Sequence, residues 1–286
     1  MTELPKTPAG LGEIAAQYDA LLCDVWGVVH NGKAAFAAAT NALTQFRRSG
    51  GIVVMLTNAP RPSTEIPAQF AALGVPDECW DGIVTSGDAT KAMLSQSAPG
   101  PAFKLGPSKD DRLYDGTGMA FAELEEAKLI SCTGFYDDNR ETPGDYDDLL
   151  KRAAALNLPM ICANPDKVVH FGDRLIYCAG ALAENYAALG GKVVYTGKPH
   201  DAIYQLCYER LAALRGQPID KSRILAIGDG LPTDILGAAS QSLDCLFVTG
   251  GIHGAYFSGG VYAEEVGQLL QDHQTRARYA ISSLCW

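Results

Sequence analysis

The chain has 286 residues, 47% of them hydrophobic and 20% charged, which describes a globular protein of one large or two small domains and excludes a disordered chain. Lys and Arg number 23 and Asp and Glu 33; a formal net charge of −10 argues against a general nucleic-acid binder, because phosphate-backbone affinity rests on clustered cations. The longest smooth apolar run, Leu175 to Ala183, stops at Glu184, far short of the roughly 18 residues a membrane helix needs, so no membrane partner is expected.

The N-terminus lacks the basic start and apolar stretch of a secretory signal. The eight cysteines form no C-x-x-C pair and sit mostly in apolar contexts such as LLCDV and MICAN. They read as reduced, buried thiols of a cytoplasmic protein, without zinc-ligand spacing.

In chain order, short apolar runs end abruptly in small or polar residues: ALLCD (20–24), GIVVMLTN (51–58), GIVTSG (82–87), KVVYTG (192–197), RILAIGD (223–229) and CLFVTGG (245–251). Val, Ile and Leu fall at successive rather than alternating positions, the pattern of strands buried on both faces of a parallel sheet. Helical patterns intervene at Ala35–Ser49, Ser63–Leu73, Asp88–Gln96, His200–Leu214 and Pro232–Ser240. The alternation predicts an α/β fold with a Rossmann-like parallel sheet, whose ligands bind beyond the carboxyl ends of the strands. From about residue 88 to 186 the strands shorten (FKLG, LISCTGF, PMICAN, LIYCAG), with one clear helix at Asp145–Leu156 and an acidic loop, DDNRETPGDYDD. This reads as a second α/β domain, 88–186, inserted as a cap between core segments 1–87 and 187–286.

The strand ends carry the chemistry. Asp24 ends the first run, Thr57 and Asn58 the second, Lys198 follows KVVYTG, and Asp229 ends RILAIGD with Asp234 five residues on. In a parallel sheet these ends converge. Clustered carboxylates repel one another unless a cation holds them, and hard oxygen ligands suit Mg²⁺. A lysine beside Mg²⁺ calls for an anion, and phosphate is the natural one.

Asp24-Val25-Trp26-Gly27-Val28, Leu56-Thr57-Asn58, Thr196-Gly197-Lys198-Pro199 and Gly228-Asp229-Gly230-Leu231-Pro232-Thr233-Asp234-Ile235 resemble, in order, the four motifs of the haloacid dehalogenase superfamily. The cap position, with Ala163-Asn164-Pro165-Asp166 inside it, resembles class IIA, the NagD-like and nitrophenylphosphatase branch. The resemblance implies that Asp24 is a nucleophile forming an aspartyl-phosphate, and that Thr57 and the Asn58 amide bind phosphoryl oxygens. It implies that Lys198 neutralises charge. Asp24, the backbone carbonyl of Trp26 and Asp229 would hold Mg²⁺, with Asp234 a ligand or a support for one. Arg61, Asn164 and Asp166 are candidate substrate contacts.

One position departs from the family. Two residues after the nucleophile, family phosphatases usually carry a second Asp as general acid and base; here stands Trp26. An indole cannot protonate a leaving alkoxide or deprotonate water, a loss worth about 10²–10⁴ in rate. The expected function is Mg²⁺-dependent hydrolysis of a small phosphorylated metabolite, slowed, restricted to good leaving groups, or assisted from the cap.

The alternatives are a catalytically impaired relative that binds a phosphorylated ligand or partner, and a phosphorylation switch of the receiver type. The long insertion argues against the switch. His30 reads as a surface histidine, and Gly228–Thr233 lacks the third glycine of a dinucleotide fingerprint. A homodimer is what class IIA resemblance implies.

Overall fold

The computed structural model describes residues 4–172, 174–257 and 260–286. Met1–Glu3, part of the N-terminal segment read above as carrying no signal, lie outside the described residues. The main sheet has six parallel strands in the order β12-β11-β10-β1-β2-β3. They are β1 (Ala20–Cys23), β2 (Ile52–Thr57), β3 (Gly82–Thr85), β10 (Ile224–Gly228), β11 (Asp244–Val248) and β12 (Tyr279–Ile281).

The uninterrupted apolar runs are explained by cover on both faces. Alternate residues Leu21, Val53, Met55, Leu225 and Ile227 pack with Leu43 and Phe46 of α1 (Ala37–Arg48) and Phe70 of α2 (Ile66–Leu73). Leu22, Val54, Leu56, Ala226 and Phe247 point the other way. There they meet Ile203, Tyr204 and Leu211 of α6 (Asp201–Arg215), Ala238 of α7 (Leu236–Ser240), and Val266 and Leu270 of α8 (Ala263–Asp272).

After β3, a capping box starts α3 (Ser86–Ser97): Thr85 Oγ1 accepts from the Asp88 amide at 3.0 Å and Asp88 Oδ2 from the Thr85 amide at 3.1 Å. A second parallel sheet follows, in the order β4-β5-β6-β9: Ala102–Leu105, Leu129–Cys132, Met160–Cys162 and Val193–Tyr195. α4 (Asp147–Ala155) and α5 (Ala179–Ala188) cover one face through Leu150, Leu182 and Tyr186. An antiparallel hairpin, β7 (Val168–Phe171) with β8 (Arg174–Tyr177), projects between β6 and α5.

The expected assignment of KVVYTG to the main sheet needs correction. Val193–Tyr195 pairs in parallel with Met160–Cys162, so the chain returns to the main sheet only after it, and the boundary expected at 186/187 falls inside the segment that completes the second sheet. The run was misplaced because a Val-Val-Tyr strand carries no mark of which sheet will accept it. All eight cysteines are free thiols, seven of them buried. Among the described residues no helix is long and apolar enough to cross a membrane.

Candidate active site

The topology fixes where the site lies. The chain runs from β1 to β2 and β3 on one side, then returns to β10 on the other flank of β1. The order therefore reverses between β1 and β10, and the crevice of an open α/β sheet opens beyond the carboxyl ends at such a point. Asp24 and Asp229 are the first residues beyond those two neighbouring strands.

Asp24, Asp229 and Asp234 are buried, and each places a carboxylate oxygen within 4.8 Å of the others. Lys198 enters from the segment after β9. Its Nζ donates to Asp24 Oδ1, to Asp234 Oδ1 at 2.6 Å and to the Leu56 carbonyl at 3.2 Å. Burial alone would depress this ammonium, but Asp234 and Asp24 hold its pKa well above the ordinary lysine value. One lysine does not balance three carboxylates. Burial, then Asp234, raises Asp24 well above the usual carboxylate range, and burial pushes Asp229 up to about 7. An all-oxygen donor set with surplus negative charge fits a hard divalent cation.

The carboxylates differ in their engagement. Asp234 uses both oxygens, Oδ1 for Lys198 and Oδ2 for the Gly230 amide at 3.0 Å. Asp229 Oδ2 accepts from the Ile252 amide at 2.7 Å. Its carboxylate fills the space where a side chain on Gly27 would stand, and Gly27 has a left-handed φ of 80°.

Above the carboxylates lies a chamber of about 680 Å³, lined by Asp24, Trp26, Thr57, Arg61, Asn164, Asp166, Lys198, Asp229 and Asp234. Asn58 is a buried strut behind it: its Oδ1 accepts from the Lys198 amide at 2.7 Å, and its Nδ2 donates to Asp166 Oδ1 at 3.0 Å. The Asn164-Pro165-Asp166 turn is closed by the Asp166 amide donating to Asn164 Oδ1 at 3.0 Å. Arg61 is tied by Nε to Asp110 Oδ1 at 3.1 Å.

His30 is fully buried rather than on the surface. It accepts the Gly32 amide on Nδ1 at 3.1 Å and lies between the Trp26 and Phe70 rings. A lone polar residue gives no period by which to read its burial. Sequence reasoning also missed Lys109, Asp110, Asp138 and Phe171 at the chamber wall. For Phe171 the sequence offers only its alternation with Val169 in a four-residue strand, too short a pattern to announce it.

Two family models match the chain: one for haloacid dehalogenase-like hydrolases over residues 21–120 and a HAD-hydrolase-like model over residues 195–272. A crystal structure of a haloacid dehalogenase-like hydrolase from Brucella suis 1330 superposes with a TM-score of 0.88 at 43% identity, covering 97% of this chain and 99% of that one. Among curated proteins, the D-glycerol 3-phosphate phosphatase of Mycobacterium tuberculosis is 28% identical over 88% of this chain and 68% of its own length. The ribonucleotide monophosphatase NagD of Escherichia coli K12 is 26% identical over 81% of this chain and 88% of its own.

Proposed function

The chain belongs to the haloacid dehalogenase-like hydrolases, in the class IIA branch, and we propose that it hydrolyses small phosphate monoesters through a phosphorylated Asp24, with Mg²⁺ as cofactor. The observation that carries this reading is the buried Asp24–Lys198–Asp234 array with Asp229 beside it, at the point where the strand order of the sheet reverses.

In this reading Asp24, the backbone carbonyl of Trp26 and Asp229 hold Mg²⁺, which when bound neutralises the phosphoryl group's charge. Asp234, with both oxygens engaged, positions Lys198 and supports the metal site. Lys198 works against the burial and the Asp234 charge that raise the Asp24 pKa, would together with a bound cation favour the Asp24 carboxylate, and offsets the charge that develops on the transferring group. Thr57 and the Asn58 amide receive the phosphoryl oxygens. The Asp24 carboxylate attacks phosphorus as the ester phosphorus–oxygen bond breaks, the leaving group departs as its oxide with the bonding electron pair and takes a proton from solvent, and water then cleaves the acyl phosphate, releasing inorganic phosphate and restoring Asp24.

Arg61, Asn164 and Asp166 bound the side where the rest of the substrate lies. The second sheet acts as the cap that limits its size, so the ligand is a small phosphorylated metabolite. With Trp26 in place of an acid–base Asp, both steps proceed without a proton carrier at that position, and turnover is slow with alkoxide leaving groups.

A phosphatase screen with and without Mg²⁺, on wild type and Asp24→Asn, tests this. Metal-dependent release of phosphate by wild type alone supports the reading; activity that survives Asp24→Asn overturns it.

A further inference from the structure

The charged groups of the site follow strands of the main sheet or the segment that returns to it, yet one support beneath them comes from the second sheet. Asn58, the residue after β2, is buried between the two. Its Oδ1 accepts from the Lys198 amide at 2.7 Å. Its Nδ2 donates to Asp166 Oδ1 at 3.0 Å and to the Lys198 carbonyl at 3.4 Å. An ionised carboxylate only accepts, so it fixes which way the Asn58 amide faces. Turned over, the NH₂ group would meet the Lys198 N–H, and the oxygen would meet a carboxylate and a carbonyl.

Asp166 stands on the turn that follows β6, and that turn is held from three sides. The Asp166 carbonyl accepts from the Gly180 amide in α5 at 3.1 Å, where a Cβ on Gly180 would collide with the Pro165 and Asp166 carbonyls. At the head of α3, Ser86 Oγ donates to the Ala163 carbonyl. On the segment leading back to the main sheet, Thr196 Oγ1 donates to the Cys162 carbonyl at 3.1 Å. The next residue is Gly197, where a Cβ would collide with Asn58 Oδ1 and Pro165 Cδ, so its absence lets the turn close on Asn58.

We propose that Asp166 is a positioning residue: acting through Asn58, its carboxylate sets the backbone of Lys198 and thereby the ammonium beside Asp24. The inference rests on the phosphatase reading above and adds a residue of the second sheet to the apparatus that serves phosphoryl transfer. A charge-assisted hydrogen bond is roughly twice as strong as a neutral one, and removing the acceptor would leave the buried Asn58 Nδ2 short of a partner. From the backbone anchored in this way, Lys198 Nζ reaches Asp24, Asp234 and the Leu56 carbonyl. The same side chain steadies the Asn58 main chain, whose amide receives a phosphoryl oxygen in that reading. A displacement of about 1 Å at such groups costs about 10²-fold in rate, so Asp166 serves the reaction without touching the reacting atoms.

The test is kcat/KM with Mg²⁺ for acetyl phosphate and 4-nitrophenyl phosphate, which share the phosphoryl group and differ in the rest of the molecule. Asp166→Ala is expected to lower both values by the same factor, about 10–10². Asp166→Asn keeps an acceptor oxygen for Asn58 Nδ2 and is expected to stay within about threefold of wild type. Asn58→Ala retains its main-chain amide and is expected to lose at least as much as Asp166→Ala. The double variant should fall no further than Asn58→Ala, because the carboxylate then has nothing to act through. If thermal unfolding shows that Asp166→Ala does not fold, Asp166→Ser, polar but too short to reach Nδ2, takes its place. Unchanged rates in that variant, a loss confined to 4-nitrophenyl phosphate, an equal loss in Asp166→Asn, or additive losses in the double variant overturns the positioning role and leaves the phosphatase reading standing. Failure of wild type to hydrolyse either compound overturns both.

Discussion

The Trp26 indole stands edge-on to the His30 imidazole, with ring centres 4.9 Å apart and planes at 75°. His30 is fully buried and accepts the Gly32 amide on Nδ1, so the residue at the acid–base position is clamped by a neutral ring and cannot swing clear of the chamber without breaking that packing. Trp26→Asp restores a proton carrier. Its kcat for an alkyl phosphate is expected to rise by about 10²–10⁴, measured by phosphate release under saturating Mg²⁺. An unchanged rate would contradict the role assigned to this position.

The burial of His30 makes stability depend on pH. Burial depresses the His30 pKa from 6.5 to about 4. The unfolded chain therefore binds the extra proton between these values, and stability is full above pH 6.5 and falls as pH drops toward 4. At pH 5 this group alone costs roughly 2 kcal/mol relative to pH 7.5. Denaturant unfolding of wild type and His30→Gln at both pH values checks it, since the difference between the pH values shrinks by that amount in the variant.

Lys198 is held by Asp24 and Asp234 in a buried array. Lys198→Met removes the ammonium at nearly constant volume and strands both carboxylates. Activity is expected to fall by about 10²–10³, and metal-free stability by about 3–5 kcal/mol. Added Mg²⁺ should recover part of the stability and little of the activity, as read by thermal unfolding beside the assay.

Gly27 and Gly74 share a left-handed backbone, with φ of 80° and 78°. A Cβ on Gly74 would meet nothing within 4 Å, whereas one on Gly27 would meet the Asp229 carboxylate. Gly74→Ala is expected to cost only the backbone strain, about 1–2 kcal/mol. Gly27→Ala should in addition displace Asp229 and weaken Mg²⁺ binding, which titration calorimetry on the two variants separates.

Most of the main sheet was legible because its strands are buried on both faces, and an unbroken apolar run ending in Asp or Thr marks both the strand and the carboxyl end that borders the chamber. Asp24, Thr57 and Asp229 fell into place this way. Val193–Tyr195 did not, because pairing with Met160–Cys162 is decided by tertiary contacts and leaves no local trace. The hairpin was half-read: LIYCAG covered β8, but Val168–Phe171 is only partly buried and its apolar residues are spaced too briefly to show a period. The engagement of Arg61 by Asp110 spans 49 positions, beyond the reach of any local pattern.

The central claim is that Asp24 carries the phosphoryl group. Rapid acid quench of the enzyme with a phosphorus-labelled aryl phosphate, followed by peptide mapping, tests it most directly. The account predicts a burst approaching one label per chain, labile to hydroxylamine and located on Asp24, because departure of the phenolate needs no acid while hydrolysis of the acyl phosphate lacks a base. Steady turnover with no protein-bound label, or a label retained in Asp24→Asn, would contradict it.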